Sequence, residues 1–83
     1  MPHQIDFAAE GVADVYRQLQ PWVQRSLEEA LIVAAAAPQA LPCLPEESEY
    51  ARILDFADGR GLALLDIDED DKRITVRMIQ PPR

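Results

Sequence analysis

The densest set of ligand-type side chains in this sequence is Asp66, Asp68, Glu69, Asp70 and Asp71, five carboxylates within six positions. Acids at the first, third and fifth places suggest a calcium loop, in which a glycine at the sixth place makes the bend and an acid at the twelfth binds in bidentate fashion. Counted from Asp66, those places hold Asp71 and Arg77. The template fails at both, which leaves an acidic turn between strands, balanced in part by Lys72 and Arg73.

Other chemistries are harder still to assemble. A general acid–base pair needs two titratable groups converging on one pocket, and the single histidine, His3, stands near the start of the chain on what reads as an edge strand. Ser26 and Ser48 have no base close to them in sequence. Gly59 and Gly61 serve a turn between strands, and no helix follows them to complete a phosphate loop. The single cysteine, Cys43, excludes an internal disulfide and, between Pro42 and Leu44, reads as a small loop residue. Trp22, directly after Pro21, reads as a core or hairpin-capping aromatic, and Tyr50 as a packing residue. Arg52, Arg60, Arg77 and Arg83 remain as candidate phosphate- or RNA-binding groups, since guanidinium groups on an open sheet face suit anions. The competing reading pairs them with Asp55 or Asp66 across strands. No metal site or cofactor is expected.

These residues must be positioned by the stretch from Tyr50 to Gln80. Three runs rich in Ile, Leu, Val and Phe are separated by the turn signals Ala57-Asp58-Gly59-Arg60-Gly61 and Asp68-Glu69-Asp70-Asp71-Lys72, which predicts antiparallel strands near 50–57, 61–68 and 73–80. In the last run Ile74, Val76 and Met78 alternate with Thr75 and Arg77, so Arg77 is expected on the face that meets water, with Arg52 a possible neighbour there. The middle run carries Ala63, Leu65 and Ile67 on one face and Leu62, Leu64 and Asp66 on the other, as a strand flanked on both sides would. The first run does not fix its own phase.

Upstream, Ile5 and Phe7 alternate with polar residues as in a short edge strand that needs the meander for support. From Ala8 the period lengthens: Val12, Val15, Tyr16 and Leu19 make the stripe of an amphipathic helix ending at or before Gln20. Pro21 suits the first turn of a second helix, Trp22 to Ala37, with Val23, Leu27, Ala30, Leu31 and Ala34 on one side. So short a link predicts a helical hairpin whose apolar stripes cover one face of the sheet. Pro38, Pro42 and Pro45 predict a stiff, extended crossing from helix to sheet.

Eighty-three residues make one domain, 1–83, able to bury about 60 per cent of its unfolded surface. With 48 per cent apolar and 28 per cent charged residues the chain has a globular composition. No apolar run approaches the roughly 20 residues of a membrane span and the first residues lack a signal-peptide pattern, so a cytoplasmic protein without a membrane partner is expected. The net charge of −7 is uneven: residues 1–49 hold eight acids against Arg17 and Arg25, whereas residues 50–83 hold seven acids against six bases. Overall acidity opposes general nucleic-acid affinity, which is driven by neutralising phosphate with Lys and Arg.

The order strand, two helices, proline-rich link and three antiparallel strands resembles the RelE/ParE superfamily of bacterial type II toxins. IDFAAEGVADVYRQLQPWVQRSLEEALIVAAAAP is similar to the family's opening strand and helical hairpin, and DGRGLALLDIDEDDKRITVRMI to its closing hairpin, with a glycine turn, an apolar strand ending in Ile-Asp, an acidic turn and Ile-x-Val. The resemblance implies an α+β fold of strand, antiparallel helical hairpin and three-stranded antiparallel meander. It further implies a toxin neutralised by a cognate antitoxin, acting on ribosome-bound mRNA or on gyrase. Endonuclease members use basic residues on the sheet face and a basic or aromatic residue near the C-terminus. Where the family often reads Tyr-Arg after the glycine turn, this chain has Gly61-Leu62, and Arg83 directly after the last strand leaves no room for a catalytic tail. The resemblance therefore implies a toxin-fold protein with weak or lost mRNA cleavage, in which Arg52, Arg60, Arg77 and Arg83 are the groups able to substitute. The alternative is a non-catalytic acidic protein-interaction module that retains the fold.

Overall fold

Residues 3–44 and 48–82 are described by the structure, a computed structural model. In chain order they form β1 (Gln4–Phe7), α1 (Glu10–Gln18), α2 (Pro21–Ala36), β2 (Cys43–Leu44), β3 (Ser48–Phe56), β4 (Gly61–Asp68) and β5 (Arg73–Gln80). The sheet order is β1-β5-β4-β3-β2. β3, β4 and β5 make the expected antiparallel meander, and β1 joins its far edge parallel to β5, with Ile5 opposite Ile74 and Phe7 opposite Val76. Parallel pairing requires a crossover between the two strands, and here everything from α1 to β4 supplies it.

The prolines act as the sequence suggests, with one exception. Pro21 sits in the first turn of α2, where its missing N–H leaves nothing unpaired. The expected irregular crossing from Pro38 is more ordered than its prolines imply: Pro38–Ala40 form one turn of 3₁₀ helix with Pro38 buried, and Cys43–Leu44 pair with β3. Pro38 fits the start of that turn for the same reason Pro21 fits α2, and Pro42 contributes its carbonyl, which accepts the N–H of Ile53 at 3.0 Å. Pro45 lies outside the described residues. Cys43, expected in a loop, therefore lies on an edge strand and is exposed.

One face of the sheet is the core. Val23, Leu27, Leu31, Ala34 and Ala35 of α2 pack on Leu54, Phe56, Ala63, Leu65, Ile67, Ile74, Val76 and Ile79. α1 lies at the β1–β5 side and contributes the half-buried Val12, Val15 and Tyr16, with Leu19 just after its end. The small Ala34 and Ala35 let the end of α2 come close to the sheet, and the His3 backbone N–H reaches the Ala35 carbonyl at 3.1 Å. In the β3–β4 turn Ala57, Asp58 and Gly59 all take positive φ, a conformation costly for Ala and Asp. The Ser26 hydroxyl accepts the N–H of the buried Ala57 at 2.8 Å, which ties this turn to α2.

The helices fold back on each other across Leu19 and Gln20. The Gln24 side-chain amide donates to the carbonyls of Tyr16 and Arg17, capping the end of α1, and the Tyr16 hydroxyl donates to Glu28. That hydrogen bond, assisted by partial burial and by the negative charge of Glu28, pushes the Tyr16 phenol up to about 12. A raised folded-state value means that the contact stabilises the hairpin fully below the ordinary tyrosine range near pH ~10 and is lost as pH climbs from there towards 12. Ultraviolet titration in a Tyr50→Phe background, where Tyr16 alone reports, should show ionisation near pH 12. Glu28→Ala should return it towards the ordinary range; an unchanged midpoint would show that Glu28 is not the cause.

Candidate functional site

The face of the sheet away from the helices is open, and the strand register decides what stands on it. Neighbours across strands share a face, so Ala51, Asp66 and Thr75 form one row, Ile53, Leu64 and Met78 a second, and Asp55, Leu62 and Gln80 a third. The expected alternation in β5 breaks between the first two rows. Leu65 pairs with Val76 but Leu64 with Met78, so Arg77 is the extra residue of a β-bulge. Arg77 and Met78 are both exposed, and Ile79 takes the buried place that uninterrupted alternation assigns to Met78.

Arg77 projects onto the open face as expected. Its Nε lies 3.3 Å from Asp66 Oδ2, the cross-strand pairing with Asp66 that the competing reading described. Both side chains are about two-fifths exposed, so the pair adds at most about 1 kcal/mol of stability. Together with Tyr50, Asp68, Glu69, Asp70 and Thr75 they line a shallow depression of 840 Å³. Four carboxylates around one guanidinium make its potential negative, and Tyr50, expected to pack, is mainly exposed at its rim.

The other arginines do not converge on it. Arg52 pairs with Leu65, which places it on the helix-covered face, opposite to Arg77. Its Nη1 donates to Cys43 Sγ at 3.2 Å and to the Ala51 carbonyl at 3.0 Å. Arg60 is in the β3–β4 turn at the far end of the molecule, where it lines a smaller, 310 Å³ depression with Trp22, Pro81 and Pro82. Trp22 caps the hairpin without entering the core; it is half exposed and its indole N–H donates to Gln20 Oε1 at 3.0 Å. Arg83 lies outside the described residues. Arg73, expected to balance the acidic turn, stands on this face and reaches across to Asp6 of β1, Nε to Oδ2 at 3.1 Å. Only the parallel β1–β5 pairing brings those two together, and nothing local in the sequence signals it.

The acidic turn is built as a turn. Asp68 Oδ1 accepts the Asp71 N–H at 3.0 Å, Lys72 takes positive φ, and its carbonyl accepts the Gln4 N–H at 2.8 Å. Glu69 is held by Gln39 Nε2 at 3.0 Å and by Lys72 Nζ at 3.4 Å, and His3 Nε2 stands 3.5 Å from it. The His3 ring is buried, with Nδ1 at 3.2 Å from the Ala35 carbonyl, so it fastens the start of β1 to the end of α2. Among the described residues no group of three or more His, Cys, Asp or Glu side chains is arranged to hold a metal ion. No helix among them is long and apolar enough to cross a membrane.

No protein-family model matches the sequence, and no curated protein is significantly similar to it. Solved structures do match, and they share a fold. A free double mutant of the E. coli toxin RelE superposes with a TM-score of 0.82 at 16% identity, covering 98% of this chain and 84% of that one. The intact E. coli RelBE toxin–antitoxin complex gives 0.80 at 13% identity, covering 98% of both chains. The RelBE2 toxin–antitoxin complex of Mycobacterium tuberculosis gives 0.79 at 14% identity over 98% of this chain and 92% of that one.

Proposed function

We propose, from the premise that this chain carries the RelE toxin fold, that it is the toxin-fold member of a bacterial toxin–antitoxin pair, cytoplasmic and held by an antitoxin, with weak or lost mRNA cleavage. The observation that carries this reading is the match over nearly the whole chain to RelE, both free and in complex with its antitoxin. The chemistry of the open face supports the reduced activity. Arg77 is paired to Asp66 amid further carboxylates, Arg52 is on the opposite face and Arg60 at the far end. RNA phosphate would meet net negative charge there and gain little from a guanidinium already engaged. Any remaining action on ribosome-bound mRNA, or on gyrase in the ParE manner, would rest on Arg77 and Arg83, with Arg52 and Arg60 as lesser candidates.

Induced expression tests this. Expression alone is expected to slow growth mildly, and Arg77→Ala or Arg83→Ala to relieve it. Co-expression with the product of an adjacent small gene is expected to restore growth fully and to yield a stable complex on purification. Harmless accumulation with no co-purifying product would overturn the toxin reading and leave the acidic interaction module in its place.

A further inference from the structure

We infer that the open face of the sheet is the docking surface for a basic amphipathic helix of a protein partner. The inference rests on the reading that this protein works through a protein partner, and it adds the chemistry of the docking segment. Ile53, Leu62 and Leu64 stand half-buried on that face, and Met78 is 46% exposed beside them. None of the four belongs to the core or packs against it from its edge. An apolar centre of this kind with a charged border has the anatomy of a protein interface.

The border fixes the sign of the partner. Asp55 flanks the centre at one end, and Asp66, Asp68, Glu69 and Asp70 gather at the other, around the 840 Å³ depression. The cations near this border, Arg77, Arg73 and Lys72, each lie against a carboxylate, Asp66, Asp6 and Glu69, which among the described residues leaves Asp55, Asp68 and Asp70 without a cation in contact. The surplus is negative, and complementary potential requires Lys or Arg on whatever docks. Nucleic acid has the wrong charge, and an acidic peptide is repelled for the same reason.

The geometry also fixes a spacing. From Leu64 to Asp68 along β4 is about 13 Å at a strand rise of roughly 3.3 Å per residue. A helix rises about 1.5 Å per residue, so one laid along β4 with apolar anchors over Leu64 and Met78 brings residues two turns further on above the carboxylates. The matching sequence carries apolar residues at i, i+3 and i+4 and bases at i+7, i+8 and i+11.

The test uses the full chain and a fluorescently labelled synthetic peptide of that pattern, with leucines as anchors and lysines as bases, followed by anisotropy. Binding is expected to weaken with added salt. It should fall about tenfold in Met78→Glu and again in Asp70→Lys. Both residues are exposed, so unchanged denaturation midpoints will show that the variants fold. Equal binding of a peptide with glutamates in place of the lysines would overturn the proposal, as would insensitivity to both substitutions. Tighter binding of single-stranded RNA than of the peptide, or dimerisation abolished by Met78→Glu, would reassign the face to nucleic acid or to a second copy. The growth assay is independent: salt-sensitive peptide binding alongside harmless accumulation with no co-purifying product leaves the docking face standing and the toxin reading fallen. Growth arrest relieved by an antitoxin whose affinity both substitutions leave intact does the reverse.

Discussion

Leu65→Ala is expected to remove a large share of the stability of this protein, close to half of it. Leu65 is fully buried on β4, the middle strand of the meander, between Arg52 of β3 and Val76 of β5 and beneath the helices. Truncating a leucine at such a site forfeits its burial and leaves a cavity, at a cost of about 2–5 kcal/mol. A chain of this length has a total stability of about 4–12 kcal/mol, by the usual 0.05–0.15 kcal/mol per residue. The loss should appear as a urea midpoint lowered by roughly 2 M, given a slope of about 1–2 kcal/mol per molar for a small domain. Ile74→Val, which trims one methyl group from an equally buried site, should cost only about 1 kcal/mol. If Leu65→Ala shifts the midpoint no further than Ile74→Val, β4 is not the centre of the core.

Gly61→Ala is the second. A methyl group at Gly61 would stand 2.6 Å from Cε2 and Cζ of Phe56 and 2.9 Å from Cε1. The two residues are cross-strand partners at the start of the β3–β4 hairpin, and the buried Phe56 ring lies across the space a side chain at 61 would take. Because the ring is itself packed in the core, it cannot step aside cheaply, and overpacking of this kind costs about 1–3 kcal/mol. Gly11→Ala supplies the contrast: nothing lies within 4 Å of the added methyl, and alanine is favoured over glycine in a helix by about 1 kcal/mol. Denaturation midpoints should therefore move in opposite directions for the same chemical change. Combining Gly61→Ala with Phe56→Leu should recover part of the loss, since the two substitutions act on one contact. Additive costs would mean that the ring does not occupy that space.

What the sequence made legible was what local patterning controls. Turn residues around Gly59 and around Asp70, with prolines at 21, 38 and 81, bracketed the two helices and the three long strands to within about two residues. What it hid depends on partners distant in the chain. The phase of β3 follows from its pairing with β4, which carried Arg52 to the helix-covered side. Arg73 and Asp6 meet only because β1 enters parallel to β5. The bulge does have a local signal: in Ile74-Thr75-Val76-Arg77-Met78-Ile79 the apolar residues crowd at the end, and two buried branched residues separated by Arg77-Met78 fit a pleat only with one residue in excess. The candidate site was half legible for the same reason. Alternation puts Arg77 on the face where it stands, but it leaves the register of Arg52 and Arg60 open, and the fold distributes Arg52, Arg60 and Arg77 among three places.

The bulge also makes the guanidinium on the open face dispensable to folding. Excising Arg77 would leave Ile74, Val76 and Ile79 alternating with Thr75 and Met78 in unbroken order, so every interior position would keep its occupant. A single in-frame codon gained or lost at this point could add or withdraw a positive group without disturbing hydrophobic layering. Lineages carrying this architecture thus have a route by which anion affinity and thermodynamic robustness can drift independently.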